Sequence, residues 1–331
     1  MIENKKSLIL LVLKTLEEYS DEEHFLTQQD ITDKIYQCYG AEFERKSIGS
    51  SLSILDELGY DINKGPRGGF ALLSRNLDQS EADFIIDAIF SSKSINGKDA
   101  KRIAKDVYSC FSKYQRKDYS YIYKTSEISR TDNHEVLFSV SLIHEAIKQS
   151  KRVGFNYLTY DSNGNKTTRN NNYEYIVSPY YLINNFGRYY LLCNYREKYR
   201  PLQIFRLDYM INVQIKEDWP LKEMKSLKEL PKDFSITKYI NDHIYMLDGD
   251  SVDVVIEFDD INGVSIAKDW FGDKAKIKVK NNKPTMEITC NETALYYWVM
   301  QYSDCMKVIS PLSFANKIKE GLEKALRRYE Q

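Results

Sequence analysis

The sequence predicts a multidomain α+β protein, and three observations support this fold class. The 331 residues are too many for one ordinary domain. Apolar residues recur at helical spacing in the first part of the chain and alternate with polar residues in short segments after residue 150. Strand-like and helix-like segments then follow one another to the end. We expect four parts: a three-helix domain at 1–75, a helical linker at 76–135, a small β-barrel at 136–220 and an α/β sandwich at 221–331.

Charge, cysteine content and hydropathy argue against several classes of protein. The 47 Lys and Arg nearly balance the 48 Asp and Glu, so any contact with nucleic acid must rest on local basic patches. The five cysteines form no CxxC pair, which argues against a zinc site or a disulfide framework and fits a reducing cytoplasm. The apolar run Leu8–Leu13 is too short to cross a bilayer, and no signal-peptide cleavage site follows it. We therefore expect a cytoplasmic protein without membrane contact.

The N-terminal segment has the pattern of three helices followed by a β-hairpin. Apolar stripes at helical spacing lie within residues 7–58. Thr27 and Gly40 are of the residue types that begin and end a helix, and they bracket the second stripe. Residues 60–73 read as two short strands around a turn rich in Gly and Pro. This order is the plan of a winged helix-turn-helix domain, which binds double-stranded DNA.

The third helix and the hairpin turn carry the candidate DNA contacts. In this plan the second helix of the motif enters the major groove with its N-terminal residues, and here that helix begins at Arg45. Basic side chains can bind phosphate or guanine, and serine hydroxyls can bond phosphates or bases. The candidate residues are Arg45, Lys46, Ser47, Ser50, Lys64 and Arg67. A helix face that only meets solvent is the alternative interpretation, above all for the serines.

The distribution of charge counts against strong non-specific attraction to DNA. Residues 1–73 hold 8 Lys and Arg against 13 Asp and Glu, a balance of −5. Residues 93–117, in the predicted linker, hold 8 against 2, a balance of +6. This linker helix either braces a dimer on the DNA backbone or presents a lysine-rich face to solvent.

Four segments of the second half resemble, in order, the WYL-domain transcriptional regulators. They are an opening helix and strand at 144–157, a strand at 176–182, the strand Tyr189-Tyr190-Leu191 and a closing strand at 205–211. Tyr189 stands where the family's name-giving motif has Trp. Tyr209 stands where the family usually has Arg or Lys, and Gln203 where it often has Arg. The resemblance extends to the N-terminal winged helix and to the C-terminal extension, so it covers nearly the whole chain.

The resemblance implies a ligand pocket on a barrel of the SH3 or Sm kind, with a nucleotide or single-stranded nucleic acid as the expected ligand. Tyrosines can stack on bases, and an arginine can bind phosphate with two parallel hydrogen bonds. The candidate residues are Tyr157, Arg169, Tyr181, Tyr190, Arg206 and Asp208. We expect Phe205 and Leu207 to face the core, which turns Arg206 outward. The alternatives are core packing for the tyrosines and a surface ion pair between Arg206 and Asp208.

Nothing in the sequence indicates an enzyme. It contains no phosphate-binding loop, no HExxH or GxSxG motif and no metal-ligand spacing, so we expect no catalytic residue, cofactor or metal. The expected function is a ligand-responsive transcriptional regulator that binds operator DNA as a homodimer. Two alternatives stay open. One is an accessory protein of a phage-defence or CRISPR system; the other is a protein–protein adaptor whose winged helix does not bind DNA.

Overall fold

The computed structural model describes residues 7–116, 130–196, 200–228, 230–231 and 233–330. The chain forms two compact units, Met1–His134 and Glu135–Gln331. Both contain helices and antiparallel strands, which confirms the α+β class. The predicted division into four parts is finer than these two units and stays a prediction. Part of the predicted linker, residues 117–129, lies outside the described residues.

The N-terminal unit begins with three helices and a hairpin. The elements are α1 (Leu8–Tyr19), α2 (Gln28–Tyr39), α3 (Arg45–Glu57), β1 (Ile62–Lys64) and β2 (Phe70–Leu72). The Thr27 hydroxyl accepts the Asp30 N–H and the Asp30 carboxylate accepts the Thr27 N–H, so both ends of this capping box are satisfied. Gly40 ends α2 in the left-handed conformation, at φ 63°. The buried stripes of the three helices form one apolar core.

The hairpin is fastened to the residues that precede α2. Leu26 and Phe70 exchange two backbone hydrogen bonds, of 2.9 and 2.7 Å. The ring of Phe25 lies against the turn, where a β-carbon at Gly65 would overlap it. Glycine is therefore required at this position by the close approach of the ring.

Two further helices follow the hairpin, α4 (Gln79–Ser91) and α5 (Gly97–Tyr108). Their apolar faces pack together around Ile86, Phe90 and Phe111. Asp78 caps α4 in a capping box with Glu81, and Asn96 caps α5.

A buried carboxylate binds the segment after α5 to the end of α1. Asp21 is 4% exposed, and its two oxygens bond the Ser112 hydroxyl at 2.5 Å and His24 Nδ1 at 2.6 Å. The His24 ring stacks on Tyr114 with 3.7 Å between ring centroids. Burial acts to raise the pKa of Asp21, but the hydrogen bonds from Ser112 and His24 outweigh it, and the pKa lies below its ordinary value.

The C-terminal unit opens with one helix and a six-stranded antiparallel sheet. The elements are α6 (Val136–Lys148), β3 (Lys151–Tyr160), β4 (Lys166–Thr168), β5 (Glu174–Asn185), β6 (Arg188–Asn194), β7 (Gln203–Arg206) and β8 (Met210–Pro220). Strand β3 pairs with β8, β5 and, in its second half, β4; the sheet continues from β5 through β6 to β7. Helix α6 packs on the sheet over a core that contains Val153, Phe155 and Leu191.

The predicted barrel is an open sheet in the described part of the chain, because β7 and β8 do not pair there. The Arg206 N–H donates to the Tyr157 hydroxyl at 3.1 Å, and the Ile204 N–H donates to Asp248 Oδ1 at 3.0 Å. Alternate residues of a strand present their N–H groups to the same edge, so both bonds lie on the edge of β7 that faces away from β6. Side chains thus occupy the hydrogen-bonding groups that closure of the sheet would use.

The rest of the unit is a helix followed by a four-stranded antiparallel sheet with its own helices. The elements are α7 (Ile236–Asp242), β9 (Ser251–Phe258), α8 (Ile261–Phe271), β10 (Lys276–Lys280), β11 (Lys283–Asn291), α9 (Glu292–Gln301), β12 (Met306–Ser310) and α10 (Leu312–Leu326). The strand order is β10-β11-β9-β12. Trp298 and Phe258 are fully buried in its core. No helix among the described residues has the length and apolar character that crossing a membrane requires.

Asp21→Asn should weaken the N-terminal unit by about 1–3 kcal/mol near neutral pH, because an amide cannot accept both hydrogen bonds. The folded pKa of Asp21 is depressed, so its contribution is present above the ordinary value and is lost as the pH falls through the folded value. Hydrogen exchange at residues 20–27 and 109–116 should become faster at pH 7, and the difference from the wild type should shrink below about pH 4. The exposed Glu22→Gln is the control, and equal exchange in both variants would contradict the expectation.

Tyr157→Phe should loosen the outer edge of β7, because the Arg206 N–H loses its acceptor. A half-buried amide without an acceptor costs about 1–3 kcal/mol. Hydrogen exchange measured by mass spectrometry on peptides that cover residues 203–209 should be faster than in the wild type. Tyr160→Phe, at a position that is 51% exposed, is the matched control and should leave this exchange unchanged. Slow exchange at Arg206 in the Tyr157 variant would show that the hydroxyl does not hold this edge.

Candidate functional site

A cavity of about 550 Å³ lies beside the outer edge of β7. Its lining comes from β3, β5 and β7, from the segments after β4 and β6, and from the loop before β9. The aromatic lining residues are Tyr157, Tyr173, Tyr175, Tyr195 and Phe205, and the charged ones are Arg169, Arg196 and Asp248. The gap that the unpaired edge of β7 leaves in the sheet is therefore walled by rings and bordered by charges of both signs.

The aromatic walls are held by contacts between the rings. Tyr175 is 5% exposed and lies 5.2 Å from the Tyr195 ring and 5.5 Å from the Phe205 ring, centroid to centroid. Tyr157 meets Phe205 edge to face at 5.3 Å. Tyr173 is more open to solvent and meets Tyr175 edge to face at 5.1 Å. Such a cluster gives a flat ligand several apolar surfaces on which to stack.

The phenol of Tyr157 is a neutral hydrogen-bonding group. Burial raises its pKa to about 12, because the low dielectric disfavours the phenolate. The hydroxyl already accepts the Arg206 N–H. A phenol that accepts one hydrogen bond keeps its own hydrogen for donation, so Tyr157 can donate to a bound molecule.

Two arginines supply positive charge to the cavity. Arg169 is exposed and forms no ion pair or hydrogen bond through its guanidinium with the described residues. The Arg196 guanidinium lies over the Tyr195 ring at 4.9 Å and donates to the Tyr173 hydroxyl at 3.3 Å. Hydrogen bonds from Tyr195 and from Arg196 lower the pKa of Tyr173, in that order of importance. An arginine already aligned with an aromatic face is well placed to bind an anionic group beside a stacked ring.

Asp248 brings one carboxylate to the same cavity. Its Oδ1 accepts the Ile204 N–H at 3.0 Å, which fixes the carboxylate against β7. Asp248 is exposed as a residue, but the protein around its carboxyl group displaces part of its water and raises its pKa. With two arginines and one aspartate, the charged lining carries a net positive charge.

Gln203 supports the connection between β6 and β7. Its Oε1 accepts the Tyr195 N–H at 2.6 Å, and its Nε2 donates to the carbonyl of Arg200. Gln203, which stands where the family often has Arg, thus uses both its acceptor and its donor atom to bond the backbone. The cations of this cavity come from Arg169 and Arg196 instead.

The structure brings together two of the six ligand residues that the sequence predicts, Tyr157 and Arg169. Tyr190 is 8% exposed and packs in a separate apolar cluster with Leu192 and Leu202. Tyr181 is 38% exposed and does not line the cavity.

Arg206 and Asp208 form the ion pair that the sequence offers as an alternative. Arg206 Nε and an Nη atom donate to the two carboxylate oxygens at 3.0 and 2.6 Å. This pair is not at the surface, because Asp208 is 7% exposed and also meets Arg188 at 3.3 Å. The Arg206 guanidinium lies over the Tyr209 ring at 4.5 Å. Phe205 and Leu207 are buried, as predicted.

Sequence reasoning missed several lining residues. Alternation along β5 relates Tyr173 to Tyr175, and Tyr195-Arg196 follows β6 directly, so these four positions carried a local signal. Asp248 carried none, because it is 44 residues from Ile204 in the sequence.

The candidate DNA contacts lie at the start of α3 and in the hairpin turn. Arg45, Lys46 and Ser50 are exposed, and Ser47 is half-buried. Arg45 Nε donates to Gln28 at 3.1 Å, and the Ser50 hydroxyl donates to the Lys46 carbonyl at 3.2 Å. The other two candidates are the exposed residues Lys64 and Arg67. Arg67 adopts a left-handed conformation, with φ 57°.

Comparisons with known proteins identify the first part of the C-terminal unit. Residues 139–215 match the sequence model of the WYL domain family. A search of curated proteins finds no match. Among 14 solved chains that match, proteasome accessory factor B/C (PafBC) of Arthrobacter aurescens is 15% identical, with 99% of this chain and 49% of that chain covered and a TM-score of 0.29. The present chain thus spans about half the length of that protein.

A second solved chain is described as a CRISPR Cas-related protein. It is 15% identical, with 98% of this chain and 84% of that chain covered and a TM-score of 0.40. The matched range 139–215 runs from within α6 to within β8 and includes β3 to β7 and the first half of β8. The C-terminal unit of this protein therefore contains a WYL domain, as the four resembling segments predicted.

Proposed function

We propose that this protein is a transcriptional regulator that binds double-stranded DNA with its N-terminal unit and a nucleotide or nucleic-acid fragment with the cavity of its WYL domain. The proposed binding of a nucleotide rests on the composition of the cavity, which places aromatic walls beside Arg169 and Arg196. A nucleotide has a flat base that can stack on such walls and a phosphate that the arginines can bind.

The chemistry of the cavity suits such a ligand. Its volume of about 550 Å³ lies within the range of small-molecule sites. Stacking of a base on an aromatic side chain is worth about 1–3 kcal/mol, and an arginine can bind phosphate with two parallel hydrogen bonds. The phenols of Tyr157 and Tyr195 both have a pKa of about 12, chiefly through loss of water to the surrounding protein, and so stay protonated at physiological pH. The Tyr195 hydroxyl already donates to Tyr173, which leaves Tyr157 as the donor for a ligand.

Binding, and not catalysis, is the proposed role of this site. A general base or a nucleophile needs a group whose pKa is brought near the working pH. The pKa values of Tyr157 and Tyr195 lie further from that range than the ordinary phenol value. The pKa of Asp248 is raised and that of Tyr173 is lowered, but Asp248 already accepts the Ile204 N–H and the Tyr173 hydroxyl already accepts a hydrogen bond from Arg196. We propose that the ligand acts by changing the affinity of the protein for DNA.

The three helices and hairpin of the N-terminal unit support the proposed binding of DNA. The N-terminus of α3 presents exposed cations at the place where a winged helix enters the major groove. We propose a cytoplasmic homodimer, since paired winged helices match the symmetry of paired half-sites. If the ligand changes the affinity of the protein for DNA by some factor, DNA changes the affinity of the protein for the ligand by the same factor.

The negative charge of residues 1–73 favours a second candidate. A balance of −5 weakens the long-range attraction on which non-specific DNA binding depends. The second candidate is an adaptor or an accessory nucleic-acid binder whose N-terminal unit contacts protein instead of DNA. The two candidates differ in what happens when the cations of α3 and of the hairpin are removed.

Arg169→Gln should weaken binding of a 5′-phosphorylated tetranucleotide by about 10- to 100-fold, because a charge-assisted hydrogen bond to phosphate is lost. Binding of the same tetranucleotide without its 5′-phosphate should change much less. Isothermal titration calorimetry measures both. Lys166→Gln removes the same charge from β4, at a position outside the cavity lining, and should bind like the wild type. Equal affinities of the two variants for the phosphorylated ligand would contradict the proposed site.

Replacing Lys46 and Arg67 together by Gln should weaken binding to the promoter fragment upstream of the protein's own gene. Each lost phosphate contact reduces the slope of log affinity against log salt concentration by about 0.9, so the slope should fall by about 2. Gel shifts at several salt concentrations measure it. The control variant replaces the exposed residues Lys14 and Lys324 by Gln and makes the same change of net charge. A gel shift that is unaffected in the first variant would favour the adaptor or accessory role.

A further inference from the structure

Asp248 lies outside the sequence range of the WYL domain but lines its cavity. It stands in the loop between α7 and β9 and forms no ion pair with the described residues. A carboxylate near a phosphate site repels the phosphate, so its presence in a cavity for an anionic ligand calls for a compensating contact. Arg200 acts on this carboxylate through its charge but forms no ion pair with it, so a direct contact is left for a hydrogen-bond donor on the ligand.

The position of the carboxylate is fixed by β7. Asp248 Oδ1 accepts the Ile204 N–H, and a carboxylate oxygen can accept a second hydrogen bond. Together with Oδ2, Asp248 can therefore accept two parallel hydrogen bonds from a neighbouring pair of donors. The rings of Tyr157 and Phe205 line the same cavity, so a ring stacked there can present its edge to Asp248.

We propose that Asp248 makes the WYL cavity selective for guanine nucleotides. This inference rests on the proposed nucleotide cavity and names its ligand more closely. The Watson–Crick edge of guanine carries two adjacent donors, the N1–H and the N2 amino group, which match the two oxygens of a carboxylate. The base stacks on the tyrosines, and the phosphate binds Arg169 and Arg196 at the basic part of the cavity.

The other bases match a carboxylate less well. Adenine and cytosine offer one amino group beside a ring nitrogen that is an acceptor, and that nitrogen repels the second oxygen. Uracil has one N–H between two carbonyl oxygens, and both repel a carboxylate. Hypoxanthine keeps the N1–H of guanine but lacks the amino group, so it forms one of the two hydrogen bonds.

The desolvation of Asp248 adds to the selectivity. Asp248 is exposed as a whole residue, but the protein around its carboxyl group displaces part of its water and raises its pKa, so the ionised form has fewer partners than in free solution. Two N–H donors from guanine restore the lost hydrogen bonds. A base with an acceptor at this position leaves the carboxylate unsatisfied and adds repulsion, which costs affinity.

The test measures the affinities of GMP, IMP, AMP, CMP and UMP for the full chain by isothermal titration calorimetry. GMP should bind most tightly. Asp248→Asn should weaken the binding of GMP by about 10- to 100-fold and remove the difference between GMP and IMP, because the amide places an NH2 donor where guanine presents its second donor. AMP and CMP should change much less than GMP. Asp250→Asn removes the same charge two residues away, where the side chain is 93% exposed, and should bind all five like the wild type.

The amide side chain of the Asp248→Asn variant keeps an oxygen that can accept the Ile204 N–H, so the fold of β7 should survive the change. Hydrogen exchange of residues 203–209 in this variant checks this directly. A further pair of ligands separates two sources of guanine: 5′-phosphorylated tetranucleotides that begin with guanosine or with uridine. Tighter binding of the first than of GMP assigns the site to a nucleic-acid end, and equal binding assigns it to the free nucleotide. In both cases the tetranucleotide that begins with guanosine should bind more tightly than the one that begins with uridine.

Four outcomes would overturn the inference. If the five nucleotides bind equally, or if Asp248→Asn binds all of them more tightly to the same extent, the carboxylate only repels phosphate and the inference fails while the nucleotide cavity stands. If GMP binds Asp248→Asn as well as it binds the wild type, guanine is recognised elsewhere. If no mononucleotide or tetranucleotide binds the wild type, the proposed cavity fails together with the inference.

Discussion

The outer edge of β7 is the constraint on which the C-terminal unit depends. A strand edge has N–H groups that must find acceptors, and a neighbouring strand is the usual source. Here the Tyr157 hydroxyl and the Asp248 carboxylate are the acceptors, and β8 pairs with β3 on the other side of the sheet. The sheet stays open between β7 and β8, and the cavity lies along that opening. The same two side chains therefore complete the fold and border the candidate site.

The two units use a carboxylate in contrasting ways. Asp21 in the N-terminal unit is buried, and each of its oxygens is engaged, one by Ser112 and one by His24. Its pKa is lowered, because hydrogen bonding outweighs burial. Asp248 is exposed and has one oxygen on a backbone amide, and its pKa is raised, because the partial loss of water around the carboxyl group outweighs that hydrogen bond. A satisfied carboxylate stabilises a fold, whereas an under-satisfied one beside a cavity is a group that a ligand can complete.

Local patterns predicted the elements of this fold, and non-local pairing decided the site. The capping residues of α2, the hairpin turn and the inward positions of Phe205 and Leu207 all follow from spacing within a few residues. The register of β5 against β6 does not follow from local spacing, because it shifts between Pro179 and Tyr181. As a result Tyr181 is exposed and lies outside the cavity. Tyr190 packs in a different apolar cluster from its neighbour Leu191. Both faces of β6 are apolar, so alternation of apolar and polar residues does not tell which face meets which cluster. The closure of the barrel was predicted wrongly, because the side chains that occupy the edge of β7 come from distant parts of the chain.

The place of Asp248 in the chain has a consequence for exchanging domains between proteins. The matched WYL range ends at residue 215, 33 positions before this carboxylate. A chimera joined directly after β8 would inherit the stacking surface and both arginines, but it would take its acidic group from whatever C-terminal segment it received. The segment that carries the proposed recognition is thus longer than the matched family range, and a graft meant to transfer it needs to extend at least to the start of β9.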